Sequence, residues 1–347
     1  MTTQSLWICR FGNTTYPHSL AWDFHPPYDS SIKPADRRNT RQGKNMDQVG
    51  PSALIVEGGA MRGVFSCGVL DTFLARDFSP FDSFWGVSAG ASNLAAYLAK
   101  MPGRNRKIYT DYSCRRAFLT PGRFLRGGDL MDLDWMWTIT LAELGIDKAV
   151  LAADPRPFFL AVTRQDSGQA EYHTPDVEQL AETMKASSAL PVLYRKGVRL
   201  GQHTYVDGGV ADALPVAEAI RRGARQIMVL RSRPASYRKS ASGLPALQRW
   251  LLRDTPHLVE PMLSRAERYN RTLDLIRQPP EGVNIVEICP PESFRLKRLT
   301  RDAEPLERGY ELGRIAGEAA MARWQPFSGD GQSPAPQCHR SNPAPAV

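Results

Sequence analysis

The pentapeptide Gly86-Val87-Ser88-Ala89-Gly90 has the form G-x-S-x-G. In that form a serine sits on a tight turn between a strand and a helix, with its hydroxyl presented as a nucleophile. Residues two before and two after the serine crowd together, so both must be tiny, and Gly86 and Gly90 meet that demand. Ala91, Ala95 and Ala96 fit a following helix whose N-terminus favours developing negative charge. The bland alternative is that small residues often open a helix after a strand.

A second stretch, SALIVEGGAMRGVFSCGVL (Ser52 to Leu70), passes from an apolar run through glycines into apolar residues at helical spacing. Such a turn usually holds a negative charge, and three readings compete. A phosphate-binding P-loop fits the gap from Gly58 to Gly63. It fails at Val64 and Phe65, which stand where a lysine and a hydroxyl residue are needed. A dinucleotide turn fits the spacing of Gly58, Ala60 and Gly63, but Ala60 replaces the glycine at the point of closest approach to pyrophosphate. The third reading is an oxyanion hole. Backbone N–H groups of Gly58, Gly59 and Ala60 would hold the oxygen of a tetrahedral intermediate near Ser88, with Arg62 adding positive charge.

A serine nucleophile needs a base. The histidines are 18, 25, 173, 203, 257 and 339. His18, His25 and His339 lie in proline-dotted polar ends, His173 in a hairpin-like stretch, and His203 four residues before Asp207 on one short strand. His257, in DTPHLVEP, is the downstream histidine that a Ser-His-Asp triad would use. Asp207, in YVDGGVADALPV, is the stronger candidate. It ends a strand and is followed by Gly208 and Gly209, which leave its carboxylate open to a substrate. Its competing reading is a common Asp-Gly turn.

Together these residues resemble the patatin-like phospholipases. EGGAMRG (57–63) is similar to their glycine-rich oxyanion motif, GVSAG to their nucleophile elbow, and DGG to their dyad aspartate; ASSALPVLY (186–194) looks like a further shared segment. The order matches over about residues 52–325. Ala60 departs from the glycine that many members carry, but it keeps its N–H. The resemblance implies a three-layer α/β/α fold with a mostly parallel sheet. It also implies a Ser88–Asp207 dyad without histidine, Gly58, Gly59 and Ala60 as the hole, and Arg62, Gly63, Gly86, Gly90, Gly208 and Gly209 in support. It calls for no metal and no cofactor, and it implies hydrolysis of ester bonds in phospholipids or other acyl lipids. The alternatives are a triad esterase and a catalytically silent lipid-binding protein.

The elements that must position these residues follow from periodicity. ALIVE, SFWGV, QIMVLRS and NIVEICP read as buried strands, FFLAVTRQDSGQAEYHT as a hairpin, and HTYVDG as a strand end. GVFSCGVLDTFLAR, AGASNLAAYLAK, VEQLAETMKASSAL, PVAEAIRRGA, residues 245–277 and EPLERGYELGRIAGEAAMARW read as helical. Strands alternating with helices predict an α/β sheet covered on both faces. One catalytic domain over 51–325 is expected, between polar tails at 1–50 and 326–347 that are expected to be disordered. Met46, just before the first strand-like run, is an expected alternative to Met1 as the translation start.

The 347 residues carry a formal net charge of +8, which favours anionic partners. Seven cations fall in Arg104 to Arg126, interleaved with Tyr109, Tyr112, Phe118 and Phe124. That stretch is expected either to cap the site and rest on an anionic membrane, or to be an ordinary solvated face. No nucleic-acid-binding pattern accompanies it, so nucleic acid is not an expected partner. Cys9, Cys67, Cys114, Cys289 and Cys338 show no paired spacing, which fits reduced thiols in the cytoplasm. No apolar run approaches the ~20 residues needed to cross a bilayer.

Overall fold

The computed structural model describes residues 49–241 and 243–326. Residues 1–48 and 327–347 of the expected tails, with Met46, Cys9, Cys338, His18, His25 and His339, lie outside these residues, whereas Val49, placed in the N-terminal tail, is buried and donates to the Arg222 carbonyl at 3.2 Å. Within them the strands are β1 (Ser52–Val56), β2 (Ser83–Val87), β3 (Phe158–Arg164), β4 (Ala170–His173), β5 (Val198–Leu200), β6 (His203–Asp207), β7 (Gln226–Leu230) and β8 (Asn284–Ile288). They form one eight-stranded sheet in the order β5-β6-β3-β2-β1-β7-β8, with β4 also paired to β3. The steps β3-β2-β1-β7-β8 are parallel, while β4, β6 and β5 join antiparallel.

Every residue of β1, β2 and β7 is buried. This is the pattern of central strands covered on both faces. Alternate side chains feed two cores. Leu54, Val56, Phe84, Met228 and Leu230 pack under the helices Val64–Ala75 and Ala303–Arg323. Ala53, Ile55, Trp85, Ile227 and Val229 pack on the other face with Val216, Ala219, Tyr269 and Leu273. The result is helix, sheet, helix: the three-layer α/β/α architecture expected from the alternating pattern.

On the first face the helices Val64–Ala75 and Ala303–Arg323 touch through backbone. A Cβ on Gly68 would stand 2.1 Å from the Tyr310 carbonyl oxygen, and one on Gly313 would stand 2.0 Å from that of Phe65. That contact holds the last helix against the helix that follows the glycine turn.

A further subcore of Tyr112, Phe118, Leu119, Met131, Leu133, Met136 and Tyr194 lies over the β3-β6-β5 side of the sheet. It contains a helix, Leu133–Glu143, in a segment where the sequence analysis placed no element. Asp132 caps it, accepting from the Trp135 amide at 2.9 Å. Tyr112 and Phe118 of the Arg104–Arg126 stretch belong to this subcore, while its Arg106, Lys107, Arg116 and Arg126 are exposed. Arg104 is buried and donates to the Leu144 carbonyl at 2.7 Å. Arg106, Arg115 and Arg123 are paired with Glu307, Asp111 and Asp132 at 2.8, 2.9 and 2.9 Å. Its aromatic residues turn inward because they have a core to fill.

Candidate active site

The registers around β3 bring two strand ends together. Ala161 and Val162 pair with Tyr172 and Glu171 of β4 on one edge. On the other edge Ala161 pairs with Val87, the last residue of β2, and Val162 with Asp207, the last residue of β6. β2 runs parallel to β3 and β6 antiparallel. Their C-terminal ends therefore meet head-on along one edge, and the next residue of β2 is Ser88. Ser88 and Asp207 line one cleft, with the serine hydroxyl close enough to the carboxylate to lower its pKa.

Ser88 has φ 54° and ψ −125° and leads into the helix Ala89–Leu98. An L-residue held there stores on the order of 1–3 kcal/mol of strain, so its surroundings must enforce it. Gly86 and Gly90 allow the turn to close: a Cβ on Gly86 would stand 2.4 Å from Ala91 Cα, and one on Gly90 2.2 Å from the Val56 carbonyl oxygen. The Ser88 amide donates to Ser187 Oγ at 2.8 Å, and Ser187 donates onward to the Ala161 carbonyl at 2.7 Å. Asp207 is fixed as firmly. Its amide donates to the Ala189 carbonyl at 2.9 Å, and its Oδ1 accepts from the Gly209 amide at 2.8 Å. Gly208 packs on Ala161, where a Cβ would come within 2.1 Å of the carbonyl oxygen. Ser187 and Ala189 lie in ASSALPVLY, so that segment locks both Ser88 and Asp207.

Asp207 is 3% exposed. Burial pushes its carboxyl above the usual aspartate range, against the pull of Arg265, the Ser88 hydroxyl and the Gly209 amide. No histidine lines the cleft around the pair among the described residues. His173 and His203 pair with Glu171 and Asp166 at 3.0 and 3.4 Å, and His257 stands exposed on the turn Pro256–Leu258. Among the described residues the triad alternative has no histidine lining the cleft.

The loop Gly58, Gly59, Ala60 follows β1 and lines the same cleft as Ser88 and Asp207. Gly58 and Gly59 lie outside every helix and strand, and their amides donate to no backbone carbonyl among the described residues. The flanking amides do: Glu57 to Leu230 at 2.9 Å and Met61 to Arg298 at 3.3 Å. Ala60 takes φ 49°, a left-handed conformation that its small side chain tolerates. Gly58 must lack a side chain, because a Cβ would lie 2.9 Å from Ser88 Cβ.

A buried ion network pins this loop. Glu57 accepts from the Ser232 amide at 2.6 Å and from the Tyr269 hydroxyl at 2.8 Å, and it lies 3.5 Å from Arg231. Arg231 is fully buried and also pairs with Glu287. Gly63, beneath the Tyr109 hydroxyl, fixes the following turn. Arg62 points elsewhere, into an adjoining cleft with Arg233 and Arg298.

Two clefts meet at Ser88. One is apolar, lined by Ile108, Phe118, Leu119, Met131, Met136 and Leu190 together with Ser88. The other holds the 58–60 loop, Asp207, Lys239, Arg265, Tyr269 and Arg298. Sequence reading found the serine, the aspartate and the loop. It quoted the segments that hold Glu57 and Ser187 without assigning either a role, and it missed Arg231 and the cations of the second cleft, which sit in no motif. Among the described residues no group of His, Cys, Asp and Glu could hold a metal ion.

Residues 54–220 match the family model described as patatin-like phospholipase, and residues 255–329 match one described as a domain of unknown function, DUF6363. The protein YjjU of Escherichia coli (strain K12), itself uncharacterised, is 36% identical over 282 residues, covering 79% of this chain and 78% of its own. The crystal structure of VipD from Legionella pneumophila is more distant, with 14% identity and a TM-score of 0.41 over 78% of this chain and 67% of that one. The chain belongs to the patatin-like phospholipase family. Its general class is therefore that of the lipid acyl hydrolases.

Proposed function

We propose that the protein hydrolyses ester bonds of acyl lipids through an acyl-enzyme on Ser88, with Asp207 as the base. The observation that carries this reading is the placement of a strained, buried Ser88 and a buried Asp207 in one cleft with a loop whose Gly58 and Gly59 amides meet no backbone carbonyl among the described residues. Asp207 takes the hydroxyl proton as Ser88 Oγ attacks the ester carbonyl. The N–H groups of Gly58, Gly59 and Ala60 hold the oxyanion. Asp207 returns its proton to the departing alcohol, the acyl chain lies in the apolar cleft, and Asp207 then takes a proton from the water that releases the acid. Burial suits a carboxylate to this task, because it raises the basicity of a group whose unperturbed pKa is ~3.9.

The membrane contact runs through the helix Pro245–Leu251. Its Leu247 and Trp250 are 46% and 59% exposed, with Arg253 stacked on Trp250 at 5.0 Å. Tryptophan beside arginine suits the interface between headgroups and acyl chains. The Arg104–Arg126 stretch, with Arg106, Lys107, Arg116 and Arg126 exposed, is the second surface that competes for this contact.

The test is hydrolysis of a panel of nitrophenyl esters and defined phospholipids by the wild-type protein and by Ser88→Ala. Turnover that requires Ser88 supports the reading. Turnover undiminished in Ser88→Ala contradicts it.

A further inference from the structure

The reaction above leaves unused a group of cations that share its cleft. Lys239, Arg265 and Arg298 line the cleft of Ser88 and Asp207. Arg62 and Arg233 line the cleft that adjoins it through Tyr237 and Arg298. These residues come from separate segments, and Arg265 and Arg298 lie in the part of the chain matched by the second family model. Like charges gathered in a partly dry cleft repel one another, so such a group persists only where a counter-charge compensates.

The protein supplies little of it. Glu57 is engaged by Arg231, Tyr269 and the Ser232 amide. Asp207 accepts from the Gly209 amide and lies in the cleft beside Ser88. At the rim, Glu292 is engaged by Ser236, through its amide at 3.2 Å and its hydroxyl at 2.6 Å. The Nε atoms of Arg62, Arg233 and Arg265 are buried without an acceptor among the described residues. Arg233 and Lys239 lie over the rings of Tyr237 and Tyr269, at 4.4 and 5.5 Å from their centroids. The crowding shows in their acid–base behaviour. Burial, then Arg265 and Arg298, brings the Lys239 ammonium down to about 7, and burial, then Arg298 and Arg233, brings Arg62 down to about 10.

Buried donors that lack acceptors fit an anion, and three observations narrow its kind. The cations sit where a substrate would extend beyond the reacting ester: the apolar and basic clefts share Ser88, Ala60, Leu190 and Arg298 and otherwise have different linings. Guanidinium forks match the several acceptor oxygens of a phosphate. No carboxylate in the cleft is free to receive the cation of a zwitterionic headgroup. We propose that Lys239, Arg265 and Arg298, backed by Arg62 and Arg233, form a phosphate subsite, and that the substrate is a phospholipid of net negative headgroup. The substrate assignment rests on the acyl-hydrolase reading; the phosphate subsite does not.

The test separates the two. Binding to Ser88→Ala protein is measured by calorimetry for inorganic phosphate, dihexanoyl phosphatidic acid and dihexanoyl phosphatidylcholine, each below its micelle concentration. Phosphatidic acid should bind at least tenfold more tightly than phosphatidylcholine and more tightly than free phosphate. Adding Lys239→Gln or Arg298→Gln should weaken phosphate and phosphatidic acid by about tenfold to a hundredfold. Adding Lys239→Arg instead should restore most of that loss, which a folding defect would not allow. Equal affinity for the two lipids, or Gln variants that bind like the parent, would overturn the subsite. Free phosphate binding as tightly as the lipid would overturn the lipid assignment. A wild-type protein that hydrolyses no ester yet binds phosphatidic acid through Lys239 and Arg298 would contradict the hydrolase reading alone. Hydrolysis without headgroup preference would contradict the subsite alone.

Discussion

At Ser88 and Asp207 the backbone and the carboxylate are both held in states that cost stability, one by conformation and one by burial. Ser88→Ala and Asp207→Asn should each abolish ester hydrolysis, and the double variant should be no slower than either single one, because the two groups act together. A double variant far slower than both would contradict the dyad in a steady-state assay. The titration of Asp207 adds two expectations. As a base it works only when ionised, so kcat/KM should fall with falling pH along a limb centred above the unperturbed ~3.9. Because the folded protein binds that proton more tightly than the unfolded chain, Asp207 subtracts stability as pH rises through the window from the ordinary value to the raised one. Asp207→Asn should therefore melt higher than wild type at neutral pH, with the gain fading below about pH 4. A lower melting temperature at both pH values would mean that the carboxylate holds the fold together.

The elements around β3 explain why the serine and the aspartate, far apart in sequence, share a cleft. Two strand ends abut on one edge, and the close packing of Gly86 and Gly90 lets the β2 turn close there. Gly90→Ala should drive a methyl against the Val56 carbonyl and destabilise by about 1–3 kcal/mol, the usual cost of overpacking, as measured by denaturant unfolding. A change under about half a kcal/mol would show that β1 and the helix Ala89–Leu98 can move apart. Ser187→Ala removes the acceptor of the Ser88 amide and should cost about 1–3 kcal/mol of stability by the same measurement.

Much of this layer is legible in the sequence, because glycine spacing and strand-length apolar runs are local signals. SFWGV is β2 residue for residue, and the expected hairpin is β3 and β4. β5 and the helix Leu133–Glu143 are not so plain. The first spans Val198–Leu200 alone, and the second owes its place to the Asp132 cap and to a core that only the folded chain assembles. Lys239, Arg265 and Arg298 carry no motif. Only chain closure brings them to Ser88, whereas the cations of Arg104–Arg126 are legible because they lie close together in the sequence.

The molecule as a whole gathers an apolar cleft, a basic cleft and an exposed Trp250 on one acyl-hydrolase frame. Among the described residues no helix is long and apolar enough to cross a membrane. Combined Leu247→Ser and Trp250→Ser should weaken binding to vesicles containing anionic lipid in a sedimentation assay. Replacing Arg115, Arg116 and Arg123 by Gln should weaken it less, because two of the three are already paired. The reverse order would return the contact to the Arg104–Arg126 stretch. The central claim, an acyl-enzyme on Ser88, is tested most directly by mass spectrometry of the whole protein after reaction with an alkylphosphonate nitrophenyl ester, followed by peptide mapping. A single phosphonyl adduct on Ser88, formed in step with loss of hydrolysis, is the predicted result. Complete loss of hydrolysis with the adduct on another residue, or full hydrolysis with Ser88 stoichiometrically modified, would contradict it.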